Sequence, residues 1–326
     1  MGQFSDVFKG RLASGEIIIL DGAVSTELQR RGVPVDPLTW YGSANLDHLD
    51  DVQKLHEDYI RAGAEVIITN THCTSRAGLE PAGLGERVAE INQRAVEAAI
   101  RAREAVAQKP VAIAGSISPF IPAAMGALDR TDLLGLDTFR EQAELLAESG
   151  VDLLALEMMD STRYGLPAIE ASLETGLPVW LGVSPVRIEG GRLDAAEANK
   201  TVQPIEDPAD PDPFAQLMAD YAKAYPALDA INIMHVRFGV VSDALAIVRQ
   251  FFPATTVGVY AEVGDWAPPT WTFVDFSPEQ YLKEAELWAK AGVQIIGSCC
   301  GTGPEHTRAL AEGLPKRVPA RGGHIR

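Results

Sequence analysis

Two adjacent cysteines near the C-terminus are the residues of this 326-residue chain best suited to chemistry. Cys299 and Cys300 follow an apolar run, 293–296, that is typical of a buried β-strand, and Gly297 and Gly301 flank them. Neighbouring side chains on a regular strand point to opposite faces, so both thiols reach one point only if the backbone turns. We expect the two glycines to allow that turn. Two convergent thiolates are ligands that Zn²⁺ prefers.

The residues leave other interpretations of this pair open. Buried cysteines also pack as small apolar side chains without any chemistry. A disulfide between neighbouring cysteines requires strained geometry. The choice between a metal site and a packed pair therefore depends on what else the chain brings to the same point.

Polar residues also end or interrupt the other apolar runs. Glu157 lies within the run 151–158. A carboxylate in a buried strand costs free energy unless it is paired, so we expect either a structural partner or a cationic ligand there. Asp21 and Gly22 end the first run, where the aspartate is either a turn residue or part of a site. Thr71 follows the second run.

Eight apolar runs indicate the strands that would position these residues. They are residues 16–21, 65–70, 111–118, 151–158, 178–184, 230–235, 256–262 and 293–296, with helical segments between them. Continuous apolar runs are typical of parallel strands that are buried on both faces. We therefore predict an α/β protein with a (β/α)8 TIM barrel fold. The polar residues fall at the C-terminal ends of the strands, where barrel enzymes carry their active sites.

The barrel is predicted to be a single domain over residues 16–315. Residues 1–15 are predicted to be a short leader and residues 316–326 a flexible tail. The polar stretch 185–212, after the fifth strand, is longer than a plain barrel loop. We expect it to be a loop insertion that acts as a lid or a flap.

Composition excludes several classes of function. The formal net charge is −17, so we expect no binding to nucleic acid or to an anionic membrane, both of which require basic patches. No apolar run approaches the roughly 18 residues that span a membrane. Three cysteines form no disulfide framework, which favours a reducing compartment and hence a cytoplasmic location. Composition does not exclude that the protein forms a homo-oligomer.

Several stretches resemble the motifs of one enzyme family. GSCCGTGPEH resembles the C-terminal signature of the homocysteine S-methyltransferase family, GGCCGT-x-P-x-H, and ILDGAVSTELQRRG resembles its N-terminal LDGG-x-GT-x-L motif. TNTHCTSR, LALEMM and VGVYAEVG lie between them in the expected order, so the likeness covers about residues 15–313. The resemblance implies a zinc ion held by three cysteines, a thiol activated by it, and transfer of a methyl group to the sulfur. It also implies that Glu157 holds the amino group of homocysteine.

One departure from the family pattern concerns the third zinc cysteine. In the family it lies in a GVNC motif at the end of strand six, and here Asn232 matches but Ile233 stands at the cysteine position. His235 is two residues further on, and it faces the same side as Ile233 if the strand stays regular. We favour His235 as the third ligand. His72 and Cys73, after strand two, are alternatives, and a site without zinc is a third outcome.

A second departure lies on strand seven. The family's YPN motif reads Tyr260, Ala261 and Glu262 here, so a carboxylate stands near the mouth where the family typically has an amide. Both departures concern the substrate and the metal more than the fold.

These observations predict a methyltransferase that takes two small molecules, a thiol acceptor such as homocysteine and a methyl donor. Cys299 and Cys300 are the predicted catalytic residues and hold Zn²⁺ with His235. The predicted substrate-binding residues are Asp21, Gly22, Thr71, Glu157, Asn232 and Glu262. We expect an onium donor, S-methylmethionine or a betaine, because aromatic faces such as those of Trp40, Tyr41 or Trp266 attract onium groups.

An alternative function stays open. The chain would then be a family member whose zinc site is lost or altered. It would bind or act on a different ligand, either a small amino-acid-like molecule or a quaternary ammonium compound.

Overall fold

Eight parallel strands form a closed barrel. The computed structural model describes residues 2–122, 133–195 and 212–319. The barrel strands are β1 (Ile18–Ile19), β2 (Val66–Ile68), β3 (Ala112–Ile117), β4 (Leu153–Leu156), β5 (Val179–Val183), β6 (Ala230–Met234), β7 (Thr256–Ala261) and β8 (Ile295–Ser298). They pair in the order β1-β8-β7-β6-β5-β4-β3-β2, and a bridge between Leu20 and Val66 joins β1 to β2. The predicted (β/α)8 barrel is confirmed.

Helices surround the barrel and connect its strands. In the described ranges they are α1 (Gly2–Ala13), α2 (Ser25–Arg30), α3 (Ala44–Asp47), α4 (Leu49–Ala62), α5 (Arg76–Leu79), α6 (Val88–Val106), α7 (Leu136–Ser149), α8 (Thr162–Glu174), α9 (Pro213–Ala224), α10 (Phe238–Phe251), α11 (Pro278–Lys290) and α12 (Pro304–Gly313). On α6, Ile91, Ala95, Ala99 and Ala102 recur at helical spacing and are all buried, so this face packs on the core. None of the described helices is both long and apolar enough to cross a lipid bilayer.

The predicted leader, residues 1–15, contains α1, which packs on the N-terminal end of the barrel. Phe8 lies in one buried cluster with Ile18 and Leu153, which begin their strands. Lys9 pairs with Asp229, just before β6, at a distance of 3.0 Å between Nζ and Oδ1. The leader therefore covers the end of the barrel that is opposite to the cysteine pair.

Two short antiparallel hairpins, which the sequence did not predict, extend from the C-terminal side of the barrel. Pro185–Arg187 pairs with Leu193–Ala195 at the start of the predicted insertion. Asp265–Ala267 pairs with Thr270–Thr272 after β7. These hairpins bring Val186, Trp266 and Trp271 to the cavity described below.

Parts of two predicted segments lie outside the described residues. They are residues 196–211 of the predicted insertion and residues 320–326 of the predicted tail. The described part of the tail pairs with the last residue of the leader and the first of the predicted barrel: the amide of Val318 donates to the carbonyl of Gly15 at 3.0 Å, and Arg317 forms a bridge with Glu16.

A glycine on β7, Gly258, leaves room for the side chain of Asn232 inside the barrel. Asn232 of β6 is buried, with 1% of its surface exposed, and lies over Gly258 of β7. A Cβ atom added to Gly258 would lie 2.0 Å from Oδ1 of Asn232 and 2.9 Å from Cβ of Ile295. Glycine at position 258 is therefore required by close packing.

We expect Gly258→Ala to lower the free energy of unfolding by about 1–3 kcal/mol, the usual cost of overpacking a filled core. Urea unfolding of the wild type and the variant measures this difference. Gly239→Ala is the matched control, because Gly239 lies in α10 with no atom within 4 Å of the added Cβ, and alanine is the better helix former. Equal stability of Gly258→Ala and wild type would contradict this packing.

Candidate active site and metal centre

A cavity of about 310 Å³ lies at the C-terminal ends of the barrel strands. Its wall includes residues that directly follow four strands, namely Glu157 after β4, His235 after β6, Glu262 after β7 and Cys299 after β8. Cys300 also lines it. These predicted residues therefore lie together at the C-terminal end of the barrel.

The two thiols reach the same cavity because the chain turns directly after β8. The amide of Thr302 donates to the carbonyl of Cys299 at 3.3 Å, and Gly301 has a φ of +81°. A Cβ atom on Gly301 would lie 1.6 Å from the carbonyl oxygen of Val263, so only glycine fits this turn. The Sγ atoms of Cys299 and Cys300 are 4.0 Å apart.

Gly297 has a different role from the one that the sequence suggested. Its φ is not positive, and it does not make the turn. A Cβ atom there would lie 2.7 Å from Cβ of Leu20 and 2.8 Å from the carbonyl oxygen of Asp21. Gly297 therefore allows β8 to approach the end of β1 closely.

His235 reaches the cavity through an unusual backbone conformation. Ile233 packs outward, among the residues between the barrel and the helices. A regular strand would point His235 outward as well. The strand instead ends at Met234, and His235 has a φ of +49°, in the left-handed region. The expectation that His235 faces the same side of the strand as Ile233 was wrong. Nδ1 of His235 lies 3.7 Å from Sγ of Cys299.

The two alternative ligands lie elsewhere. His72 lines the cavity, but its Nδ1 is 3.2 Å from Oε2 of Glu157. Cys73 is a buried free thiol and does not line the cavity. Over the described part of the chain, one group of three or more His, Cys, Asp or Glu side chains is close enough to hold a metal ion. It consists of His235, Cys299 and Cys300, whose donor atoms all lie within 4.8 Å of one another.

The spacing of these donors fits zinc. Tetrahedral zinc, with Zn–S bonds of about 2.3 Å and Zn–N bonds of about 2.0 Å, places two sulfurs roughly 3.8 Å apart and a sulfur and a nitrogen roughly 3.5 Å apart. The observed distances are 4.0 Å between the two sulfurs and 3.7 Å between sulfur and nitrogen. Two thiolates and one imidazole would leave a fourth position free for a substrate.

The same contacts control the protonation of the thiols. The hydrogen bond with Cys300, followed by the contact with His235, lowers the pKa of Cys299 to about 6 despite burial. The neighbouring Cys299 and then burial raise the pKa of Cys300 well above its ordinary value. Burial works against a charged His235, but Cys299 and Glu262 outweigh it and raise the pKa of this ring. Cys299 is therefore the more nucleophilic thiol of the metal-free pair.

Glu157 is held by three donors at the cavity wall. The hydroxyl of Ser116 donates to Oε2, the hydroxyl of Tyr260 donates to Oε1 at 3.3 Å, and Nδ1 of His72 lies near Oε2. Burial alone would raise the pKa of Glu157, but the contact with His72 and the two hydroxyls outweigh burial and lower it. The buried carboxylate therefore has the structural partners that its position requires, and it also faces the cavity.

Glu262 lies beside the candidate metal ligand. Its Oε2 is 2.9 Å from Nδ1 of His235, and its Oε1 is 3.3 Å from Nε of Arg237. Burial would raise the pKa of Glu262, but His235 and then Arg237 outweigh it and lower the pKa. Glu262 is therefore a carboxylate held between two basic groups.

The remaining predicted substrate-binding residues differ in their access to the cavity. Gly22 lines it, whereas Asp21, Thr71 and Asn232 do not. Asp21 accepts the amide of Ile68 at 2.8 Å, and burial raises the pKa of its carboxyl well above the ordinary value. Thr71 donates to a backbone carbonyl on β3, and Asn232 fills the barrel interior as described above.

An aromatic wall covers the outer part of the cavity. The rings of Trp40 and Trp266 meet edge to face with centroids 5.5 Å apart, and Phe120 lies 5.7 Å from Trp40. Trp271 adds a fourth ring to the lining. Tyr41, which the sequence grouped with Trp40, is buried outside this lining. Phe120 and Trp271 were missed, because nothing in their spacing distinguishes them from core residues.

Backbone strain is concentrated at the same place. In the described ranges, three residues other than glycine have positive φ angles: Trp40 at +54°, Met158 at +57° and His235 at +49°. All three line the cavity. Such conformations cost about 1–3 kcal/mol each and persist where the surrounding structure holds them, commonly at functional sites.

Comparison with known proteins decides the family. The family model for homocysteine S-methyltransferase matches residues 18–314. This chain belongs to the homocysteine S-methyltransferase family. Within the family, homocysteine S-methyltransferase of Escherichia coli (strain K12) is 29% identical to it over 90% of this chain and 94% of that protein. Betaine–homocysteine S-methyltransferase 1 of Rattus norvegicus is 28% identical over 96% of this chain and 75% of that protein.

A solved structure of the family agrees with the fold. The metallated form of the homocysteine methyltransferase MmuM from Escherichia coli superimposes with a TM-score of 0.69 at 25% identity, over 93% of this chain and 98% of that chain. The resemblance to the homocysteine S-methyltransferase family that the sequence motifs indicated is confirmed.

Alkylation of the metal-free protein tests the contact between His235 and Cys299. The rate of Cys299 alkylation by iodoacetamide should reach half of its maximum near pH 6, since the thiolate is the reacting species. In His235→Asn the thiolate loses the imidazole, so the midpoint should move to higher pH and the rate at pH 7 should fall. Mass spectrometry locates the label, and Cys73, which is buried, should stay unlabelled. An unchanged midpoint in His235→Asn would contradict the described contact.

Proposed function

We propose that this protein transfers a methyl group from an onium donor, S-methylmethionine or a betaine, to the thiol of homocysteine or a similar thiol. The observation that carries the proposal is the convergence of two thiols, one imidazole and one buried carboxylate in a single cavity. Cys299, Cys300 and His235 provide the donors, and Glu157 provides the carboxylate.

Zinc is the metal that this donor set suits best. Two sulfurs and one imidazole nitrogen at tetrahedral spacing match its ligand preference, and the free fourth position suits a thiol acceptor. The chemistry that zinc supplies when bound is a lower pKa of the acceptor thiol, so that a thiolate exists at neutral pH. Cys299 and Cys300 hold the metal as thiolates, and His235 holds it as a neutral ring.

The acceptor's amino group binds at Glu157 in this proposal. The carboxylate is ionised and already oriented by Ser116 and Tyr260, so it meets a cationic amino group without reorganisation. The backbone at Gly22 forms the adjacent wall, where a side chain would collide with Tyr59 and Ser298. Asp21, Thr71 and Asn232 do not line the cavity, and a role for them in substrate binding stays a prediction.

The methyl donor binds at the aromatic wall. The faces of aromatic rings attract onium groups, and Trp40, Trp266 and Trp271 bring three indole rings to the cavity. The same rings exclude water, which favours attack by sulfur over hydrolysis.

The transfer step is a direct displacement at the methyl carbon. A lone pair of the acceptor sulfur forms the new S–C bond, and the bond between the methyl carbon and the onium atom breaks with its electron pair remaining on the donor. The acceptor becomes a thioether, and the donor loses its positive charge. The residues contribute by holding the two substrates in line.

The free thiols of the described residues favour a reducing compartment. We therefore propose that the reaction takes place in the cytoplasm, with two small molecules as the partners. The boundaries of the domain and tail, and a homo-oligomeric state, stay predictions.

A metal analysis combined with an activity screen tests the proposal. Wild type should contain about one zinc per chain and should methylate homocysteine with S-methylmethionine or glycine betaine. The Cys299→Ser/Cys300→Ser variant should lose the zinc, and its rate should fall below about a hundredth of the wild-type rate, since the thiol is no longer activated.

Cys73→Ser is the matched control, because Cys73 is a free cysteine outside the cavity. It should keep both zinc and activity, and circular dichroism should show that all variants are folded. Undiminished methylation of homocysteine by the zinc-free double variant would contradict the metal-dependent mechanism. A wild-type protein that binds zinc but methylates no thiol would contradict the proposed reaction.

A further inference from the structure

A histidine outside the metal donor group lies in the cavity between the buried carboxylate and the aromatic wall. Nδ1 of His72 is 3.2 Å from Oε2 of Glu157, and the centroid of its ring lies 5.7 Å from that of Phe120 and 6.5 Å from that of Trp40. The side chain lines the cavity and is 19% exposed. His72 therefore stands between the proposed place of the acceptor's amino group and that of the donor's onium group.

The loop after β2 holds this ring in place. The carbonyl of His72 accepts a hydrogen bond from the hydroxyl of Ser118 at 2.7 Å, and the hydroxyl of the preceding residue, Thr71, donates to the carbonyl of Ser116 at 2.7 Å. Ser116 belongs to β3, and Ser118 directly follows it. The backbone on both sides of the His72 ring is thus tied to the neighbouring strand, beside Glu157.

The contact with Glu157 decides which atom of the ring is left for a ligand. Burial would raise the pKa of Glu157, but His72 and two hydroxyls outweigh burial and lower it, so the carboxylate is ionised and only accepts hydrogen bonds. Nδ1 of His72 therefore carries a proton. The other nitrogen, Nε2, makes no hydrogen bond to a described residue and is not a buried atom. In the protonated ring, Nε2 donates a charge-assisted hydrogen bond.

The charges at the cavity indicate which ligand Nε2 meets. Glu157 and Glu262 line the cavity, whereas no lysine or arginine of the described ranges does. His235 belongs to the metal donor group, and Arg237, which pairs with Glu262, is not part of the lining. Homocysteine, S-methylmethionine and the betaines all carry a carboxylate as well as a cationic group. Within the described lining, His72 is thus the side chain that can meet this carboxylate with a positive charge and leave the metal ligands in place.

The position of the ring favours the carboxylate of the donor. Phe120 and Trp40, which contact the ring, belong to the aromatic wall that attracts the onium group. A donor on this wall would place its carboxylate at Nε2 while the acceptor's ammonium lies at Glu157. Charges then alternate from the ammonium through Glu157 and His72 to the donor carboxylate, so that each neighbouring pair attracts.

We infer, on the basis of the proposed function, that His72 is a specificity-determining residue whose Nε2 binds the carboxylate of the methyl donor while its Nδ1 stays on Glu157. The donor is therefore an onium compound that also carries a carboxylate. The site should select such a compound over onium compounds of similar shape that lack this group.

Two matched pairs of ligands test the inference. Choline is glycine betaine with an alcohol in place of the carboxylate, and 3-aminopropyl dimethylsulfonium is S-methylmethionine without its carboxylate. Quenching of tryptophan fluorescence measures the binding of each compound to the zinc-loaded protein, alone and with methionine, which occupies the acceptor's place without a free thiol. In at least one pair, wild type should bind the carboxylate-bearing member about 10–100-fold more tightly, as expected for one hydrogen bond between charged groups.

His72→Asn removes Nε2 and keeps an N–H group near the position of Nδ1. The two members of that pair should then bind within about threefold of each other, because the partner of the carboxylate is gone. His72→Gln is the matched variant, since its amide reaches toward the position of Nε2, and it should retain more of the discrimination than His72→Asn. Zinc content and circular dichroism should match wild type in both variants, and the KM for homocysteine should stay within about threefold of wild type.

Three outcomes would overturn the inference and leave the proposed function standing. They are equal binding of both members of each pair by wild type, undiminished discrimination in His72→Asn, and a loss in His72→Asn that is confined to the KM for homocysteine. The last outcome would assign His72 to the acceptor. A wild-type protein that methylates no thiol with either donor would overturn the proposed function, and the inference with it.

Discussion

The site depends on two places where the backbone leaves strand geometry at the rim of the barrel. Residues beside each other on a strand diverge, so a regular barrel would separate Cys299 from Cys300 and would point His235 away from both. The glycine turn at Gly301 and the left-handed conformation of His235 remove this obstacle. The barrel holds the strained residue on both sides: the amide of His235 donates to the carbonyl of Tyr260 at 3.1 Å, and the preceding strand is paired along its length. The hydrogen-bonded strands thus hold three donor side chains close enough together to bind one ion.

The two departures from the family motifs lie toward the C-terminal ends of the neighbouring strands β6 and β7. Ile233 replaces the third cysteine, and Glu262 replaces an amide on the next strand of the sheet. His235, two residues after Ile233, contacts Glu262. The chain has lost one anionic ligand and gained one anionic neighbour for the residue that stands in for it. The negative charge close to the metal position is therefore kept, although it has moved from a ligand to a side chain beside a ligand.

The sequence was sufficient for the fold and for the composition of the site but not for its geometry. Continuous apolar runs predicted all eight strands, because parallel strands in a barrel are buried on both faces. Glu157 was found because it breaks an apolar run, the cysteine pair because two thiols directly follow one, and Glu262 because it departs from a motif of the family. The contact between His72 and Glu157 was not foreseen, because it joins loops after β2 and β4 that are far apart in the chain. His235 was chosen for a wrong reason, since a single left-handed residue leaves no signal in the spacing of apolar side chains.

X-ray absorption at the zinc edge of the wild-type protein tests the central claim most directly, because it counts sulfur and nitrogen ligands without reference to activity. The account predicts two sulfurs at about 2.3 Å and at least one imidazole nitrogen at about 2.0 Å in the free enzyme, with a third sulfur after addition of homocysteine. A free enzyme with no imidazole in its zinc shell, or a shell that does not change when homocysteine is added, would contradict it.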